Sequence, residues 1–304
     1  VGSFIKKYNP GLSVVILERE VFPRDHVGES LLPLVGVYLD EMGVWDKIER
    51  ANFPIKIGAT YRWGLTPELW DFEFLPNGIF HPAARPAKYE GQRIKTAFQV
   101  DRSVYDKILL DHARDLGCVV REGTKVTEVN RVEGRVTSLQ VKDRTDTEEQ
   151  IEARYYVDCS AGSGILRRKM GVAVEYPTKL RNIAIWSYWQ NARWAETVGV
   201  GGTRIQVLSL GYGWIWFIPI SPNRTSIGLV IPADHFQSTG MKPNEIYSHA
   251  LQEEPRVRQL LVDAVQEETL STTNDWSYVA SEFYGENWFL AGDSCGFADP
   301  ILSA

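Results

Sequence analysis

Trp288-Phe289-Leu290-Ala291-Gly292-Asp293-Ser294-Cys295-Gly296-Phe297-Ala298-Asp299-Pro300 is an apolar run, a Gly-Asp turn and then small residues that open a helix. A short apolar run bounded by turn residues reads as a buried strand. A carboxylate just past such a strand can take a ribose or ribityl hydroxyl, and the N–H groups of the helix start can receive a phosphate or the polar edge of a ring. A Gly-Asp pair alone carries no such meaning; its place in the chain does. Far upstream, Ser13-Val14-Val15-Ile16-Leu17-Glu18 is another apolar run ending in an acid. This is the look of the second strand of a dinucleotide-binding βαβ unit, whose carboxylate accepts from a ribose 2′-hydroxyl. On its own it is better read as an ordinary buried strand with a solvated Glu18. Between the two, Ala153, Tyr155 and Val157 lead into Asp158-Cys159-Ser160-Ala161-Gly162-Ser163-Gly164, a second small-residue turn after a strand. The three junctions in this order predict an α/β, Rossmann-type fold.

The 304 residues, 44% of them hydrophobic, are enough for one large domain or two coupled ones. A net charge of −6 gives no electrostatic argument for nucleic acid. Cys118, Cys159 and Cys295 are far apart and odd in number, so no disulfide framework is expected. The five histidines form no paired spacing, and no metal site is expected. No apolar run is long enough for a bilayer, and no signal peptide is visible, so the expectation is a soluble cytoplasmic protein without a stable membrane anchor. The chain starts at Val1 and stops at Ala304 inside a motif, and it reads as an internal fragment whose glycine-rich first βα turn lies upstream.

Residues 3–8 look like a helix tail broken by Asn9-Pro10-Gly11. Ser30 is expected to be the N-cap of a helix through Leu39. Phe53 to Gly64 reads as a strand, and residues 65–93 as irregular hairpins of a sheet facing substrate. Ser103 to Leu116 is a helix by its spacing of Tyr105, Ile108, Leu109, His112 and Leu116, with Ser103 and Asp106 as a capping box. His112 on that face is expected to be a packed histidine. Residues 126–141 alternate around Glu133-Gly134, a hairpin signal. Residues 183–232 give three or four strands, and a helical segment follows over about 243–268.

Among those strands lies Trp214-Ile215-Trp216-Phe217-Ile218-Pro219, whose two tryptophans point to one face of a strand that the proline ends. A packed aromatic stripe is the usual explanation of such a pattern. Together with the rest of the chain, however, the order of Glu18, the turn at 158–164 and Gly292-Asp293 resembles the FAD-dependent monooxygenase superfamily, the glutathione-reductase-like flavoproteins. Gln99-Val100-Asp101-Arg102 resembles a stretch there whose polar residues reach toward FAD, and Arg24 matches an arginine that lies over the cofactor. Within the superfamily, three features resemble the flavin-dependent halogenases, the tryptophan-halogenase-like family. These are the WxWxIP string at 214–219, the segment Pro23-Arg24 through His26-Val27-Gly28-Glu29-Ser30-Leu31-Leu32-Pro33, and Lys56 within KIGATYRWG. The resemblance covers nearly the whole chain.

That resemblance implies a glutathione-reductase-like FAD-binding fold with an inserted mixed or antiparallel substrate-binding sheet. It divides the chain into FAD-binding parts at 1–64, 99–170 and 271–304, a substrate-side insertion at 65–98, and a substrate-binding sheet and helix at 171–270. It implies that reduced FAD (FADH2), O2 and chloride or bromide give hypohalous acid, which travels to Lys56. There it is hydrogen-bonded, or forms a haloamine, and halogenates an electron-rich aromatic. Lys56 is the catalytic residue so implied, although spacing alone would make it a surface lysine on a strand edge. Glu18, Arg24, Gly28, Ser30, Gln99, Arg102, Gly292, Asp293, Asp299 and Pro300 are implied to bind the cofactor. Trp214, Trp216, Ile218 and Pro219 are implied to wall a tunnel, and Ser303 and Ala304 to begin a halide-binding turn. Departures are Ala161, where a glycine is expected, and Leu302, where tryptophan halogenases carry a glutamate. The second favours a phenol, a pyrrole or an acceptor bound to a carrier protein. A separate flavin reductase is implied as partner, and a place in specialised metabolism. Two alternatives stay open: a monooxygenase or geranylgeranyl-reductase-type oxidoreductase, and an inactive flavin-free fragment.

Overall fold

The computed structural model describes residues 1–64, 66–75, 80–81, 84–178, 180–199, 201–274 and 277–302. The chain falls into two compact units, one of residues 1–24, 110–180 and 276–299, the other of residues 25–109, 181–275 and 300–304.

The first unit is built on parallel strand pairs. Val15–Leu17 pairs with Val119–Arg121, and Trp288–Leu290 pairs with Tyr156–Asp158. The apolar runs that the sequence marks at 13–18 and 288–290 are thus the strands expected of them. Lys125–Val132, Arg135–Lys142 and Glu148–Ile151 form an antiparallel meander. Its first turn places Glu133 at φ 47° and Gly134 at φ 85°, the left-handed pair that a tight hairpin needs. Val129, Val136, Tyr156, Leu166, Trp288 and Leu290 fill the core of this unit. Asn287 stitches it: its Oδ1 accepts from the Val136 N–H at 2.9 Å, and its Nδ2 donates to the Val136 carbonyl at 2.8 Å.

The second unit carries a large mixed sheet. Its strand order is Val265–Asn274, Asn182–Gln190, Arg224–Pro232, Trp214–Pro219, Gly202–Ser209, Ile55–Arg62 and Trp70–Glu73, with Ala97–Phe98 also paired to Ile55–Arg62. Only Gly202–Ser209 and Ile55–Arg62 run parallel among these neighbours. Ile185, Leu208, Ile215, Phe217, Ile227 and Leu229 pack on Ile246, Tyr247, Ala250 and Leu251 of the helix Pro243–Glu253. A second cluster joins Ile55, Ile57, Phe98 and Val100 to Leu39, Trp45, Ile48 and Tyr105. The α/β class with its mixed inserted sheet is the architecture predicted. Ile55–Arg62, read from the sequence as the end of a cofactor-binding part, is hydrogen-bonded within this sheet.

Several local expectations change. Ser30 caps no helix: it bridges to Gln99, and the helix is Pro33–Met42, opened by the proline at its first position. The helix Arg102–Asp115 is capped earlier than Ser103, because Asp101 Oδ1 accepts from the Ser103 N–H at 2.9 Å. The segment 243–268 is not one helix. Pro255 restarts it as Pro255–Leu260, and Val265–Asn274 is an edge strand. After Gly292 the chain makes a 3₁₀ turn, Gly292–Ser294, and a bridge, Gly296–Phe297, rather than a helix start.

Candidate functional site

Lys56 is the second residue of Ile55–Arg62. Side chains alternate along a strand, so an unbroken strand would put it on the face of Gly58, Thr60 and Arg62. The register is broken: Lys56 lies opposite Thr203, but Gly58 lies opposite Arg204. One extra residue, Ile57, is taken up as a bulge, and a bulge re-aims the side chains beside it. Lys56 therefore shares the face of Thr203, Ile205 and Val207. Val207 is paired with Trp216, Trp216 with Gly228, and Gly228 with Trp186. One residue of slack brings the lysine and the tryptophans to the same side of the sheet.

On that side Lys56 is 2% exposed, and its Nζ lies 5.3 Å from the centre of the Phe74 ring. No carboxylate among the described residues pairs with it. Burial alone pulls its ammonium down from 10.5 to about 7. Gly58, beyond the bulge, permits the close approach of the strand Trp70–Glu73, since a Cβ there would stand 2.1 Å from the Phe72 carbonyl oxygen. Trp214 and Trp216 are buried, with ring centres 6.0 Å apart, and Trp186 lies 6.5 Å from Trp216. Trp216 lies flat across Gly228 and donates from Nε1 to Ser226 Oγ at 3.1 Å. Ile218 is also buried, and Pro219 closes the strand opposite Thr225. The stripe is packed core, on the same side of the sheet as the lysine. Two surface cavities of about 340 and 510 Å³ are lined elsewhere, one by Phe53, Arg85 and Trp194, the other by Trp189, Leu251 and Arg258.

The same unit holds the segment 26–30. Arg102 is fixed by a two-pronged bond to Asp106 and donates from Nη1 to the carbonyls of Val27 and Gly28, both at 3.1 Å. Gln99 is fully buried and donates to the Thr203 carbonyl at 3.2 Å, while its Oε1 has no partner among the described residues. The resemblance implies that both reach toward cofactor; in this structure their donor groups are engaged inside the unit, where they hold the chain that carries Gly28 and Ser30. Sequence reading passed over Glu29 between these two. It is 1% exposed, accepts from Tyr188 Oη at 3.1 Å and from the Gly28 N–H at 3.1 Å, and burial pushes its carboxyl up from 4.5 to about 7. Glu29 stands inside the quoted HVGESLLP string, whereas Tyr188 is brought to it only by sheet register, for which no local signal exists.

In the first unit, Glu18 follows the strand Val15–Leu17, and its Oε1 accepts from the Glu20 N–H at 2.9 Å. Arg24 packs over the Phe22 ring at 4.6 Å. Gly292 and Asp293 form a turn directly after Trp288–Leu290, with Asp293 exposed, and Asp299 is half-buried further along. Asp158 explains the turn at 158–164: it is buried, and its oxygens accept from the N–H groups of Ser160 and Leu166, both at 2.8 Å, and from Ser294 Oγ at 3.3 Å. A half-buried Glu18 and an exposed Asp293, each just past the carboxyl end of a strand in a parallel pair, are acceptors that fit the hydroxyl-rich part of a dinucleotide such as FAD. Pro300 opens the 3₁₀ turn Pro300–Leu302 in the other unit. Ser303 and Ala304 lie outside the described residues. Among those described, no cluster of His, Cys, Asp and Glu could hold a metal ion, and no helix is long and apolar enough to cross a membrane.

Comparison with known proteins identifies the family. The family described as Tryptophan halogenase matches residues 2–84 and 76–304. The chain belongs to the tryptophan halogenase family. Among members of that family, a tryptophan 2-halogenase of Chondromyces crocatus is 31% identical over 97% of this chain and 53% of its own. A 1H-pyrrole-2-carbonyl-(peptidyl-carrier protein) chlorinase of Pseudomonas fluorescens is 30% identical over 100% of this chain and 69% of its own. Among solved structures, the FAD-dependent myxobacterial chondrochloren halogenase superposes with a TM-score of 0.86 at 28% identity, covering 99% of this chain and 67% of that one. The chain spans about half to two-thirds of the length of these halogenases.

Proposed function

We propose that this chain is the core of an FADH2- and O2-dependent halogenase acting on an electron-rich aromatic through Lys56. The observation that carries the proposal is the buried Lys56 amine, without a carboxylate partner among the described residues and turned by a bulge to the tryptophan side of the sheet. Reduced FAD, when bound, supplies with O2 the oxidising equivalents that convert chloride or bromide to hypohalous acid. Glu18, Arg24, Gly28, Ser30, Gly292, Asp293, Asp299 and Pro300 are assigned to hold the cofactor, and Gln99 and Arg102 to hold the segment that bears Gly28 and Ser30.

With an amine held near 7, Lys56 is present in both protonation states at neutral pH. As the ammonium it donates from Nζ to the hypohalous oxygen and polarises the halogen. As the free amine it attacks the halogen, forms an N–halogen bond and releases water. The ring carbon then takes the halogen from either species and loses its proton. The Phe74 ring lies 5.3 Å from Nζ, and Trp214 and Trp216, packed against each other on the same face of the sheet, are assigned to wall the tunnel. Ser303 and Ala304 are assigned to begin the halide turn.

The acceptor assigned is a phenol or pyrrole, free or tethered to a carrier protein, and a separate flavin reductase supplies FADH2. Three free cysteines suit a reducing compartment, and we assign the protein to the cytoplasm. The test uses the full-length protein with reduced FAD, O2 and bromide or chloride, and a panel of phenols, pyrroles and indoles in free and carrier-tethered form. A halogen isotope pattern that disappears in Lys56→Ala, with flavin reoxidation intact, supports the reading. An oxygenated or reduced product without halogen moves the protein to the monooxygenase or reductase class.

A further inference from the structure

Glu29 has two carboxyl oxygens in two different settings. Oε2 faces the Gly28 N–H, and Oε1 faces the Tyr188 hydroxyl. The same hydroxyl lies 3.5 Å from the His26 carbonyl oxygen. Two hydrogen-bond patterns are therefore complete. With Glu29 ionised, Tyr188 donates to Oε1. With Glu29 protonated on Oε1, the acid donates to Tyr188 Oη, which turns its own hydrogen to the His26 carbonyl. Oε2 accepts from Gly28 in both. We propose that Glu29 and Tyr188 form a proton-operated clasp, in which Glu29 is a positioning residue that fixes both ends of the 26–28 turn only in its protonated form.

The surroundings suit such a clasp. Tyr188 is held neutral, its hydroxyl pushed up by burial and by the nearby Glu29 and Asp25. Its ring is covered by the Arg224 guanidinium at 3.9 Å. Arg224 is itself tied to Asp25, Asp101 and Glu267, so little of its charge is left for Glu29. Arg102, from the helix packed against the segment, favours the Glu29 carboxylate but is paired with Asp106. Arg102 holds the Val27 and Gly28 carbonyls whatever Glu29 does. The clasp thus changes only the hold on the His26 carbonyl, and burial places the change near neutral pH. The His26 ring, whose Nδ1 lies 2.5 Å from the Val27 carbonyl oxygen, is the other titratable group of the turn, and Glu29→Gln, which leaves it in place, separates the two. Its bearing on halogenation rests on the proposed function, because Gly28 and Ser30 are assigned there to the cofactor.

The clasp is tested by hydrogen–deuterium exchange of the peptide 25–31 in the full-length protein without flavin or halide, at pH 6 and pH 8, with rates corrected for intrinsic exchange. The expected result is exchange about tenfold slower at pH 6. The side-chain amide introduced by Glu29→Gln can donate to Tyr188 while its oxygen accepts from Gly28, so that variant should show the pH 6 protection at both pH values. Tyr188→Phe should remove the pH dependence. The strand Trp214–Pro219 serves as the folding control in each variant. Wild-type exchange that is independent of pH overturns the proposal, as does a folded Glu29→Gln that exchanges like the wild type at pH 8. A working clasp in a protein that gives no halogenated product refutes the proposed reaction and leaves the clasp standing.

Discussion

Lys56 has no counter-ion among the described residues, and an amine so deeply buried is held there at the expense of stability. Lys56→Met replaces it with an apolar chain of similar length. The variant should lose halogenation entirely and yet unfold at higher denaturant concentration at pH 7, by about 1–3 kcal/mol. Loss of both activity and stability would mean that the amine makes a structural hydrogen bond. Ala161 poses the opposite case. It sits at φ 51° where the related turn is expected to carry glycine, and a Cβ in that region costs about 1–2 kcal/mol. Part of that is offset by glycine's greater freedom in the unfolded chain, so Ala161→Gly should gain about 0.5–1 kcal/mol in urea unfolding. An unchanged midpoint would show that the turn relaxes around the alanine.

The tryptophan strand depends on its neighbour. A Cβ at Gly228 would stand 2.1 Å from the Trp216 ring, well inside contact distance. Gly228→Ala should therefore lift Trp216 from Arg224–Pro232, break its bond to Ser226 and cost about 1–3 kcal/mol. Halogenation should fall on the order of tenfold if the ring walls the lysine's side of the sheet. Near-ultraviolet circular dichroism reports the ring's displacement. Unchanged activity with a displaced ring would confine Trp216 to packing. The two tryptophans were legible because strand alternation is local, and so were the hairpin at Glu133-Gly134 and the strands flanking the Gly-Asp turn. What sequence could not supply is register. The extra residue at Ile57 leaves no mark in KIGATYRWG, yet it decides which face Lys56 takes. Tyr188 meets Glu29 across 159 positions for the same reason. Ser30 failed as a cap because Pro33 offered a better helix start and the Ser30 backbone was taken up by Gln99.

Across the whole molecule, two buried groups set an unusual pH profile. Glu29 is an acid whose folded value, about 7, lies above its unfolded 4.5. Between those values the native state holds a proton that the unfolded state has lost, so Glu29's contribution is fullest below 4.5 and declines as pH rises to 7. Lys56 is a base whose folded value, about 7, lies below its unfolded 10.5. From 7 to 10.5 the unfolded state holds the extra proton, so stability increases with pH over that range. Each shift corresponds to a few kcal/mol at the conversion of about 1.4 kcal/mol per pH unit. The two contributions meet in a minimum near neutrality, where most proteins have their plateau. Their sum is isolated by subtraction: urea unfolding of the wild type and of Glu29→Gln/Lys56→Met, from about pH 5 to 10, cancels the carboxylates common to both. The difference should be most unfavourable to the wild type close to pH 7 and narrow on both sides. A difference that is flat, or that changes in one direction only, would mean that one of the two groups is solvated in solution, and the single variants would identify which.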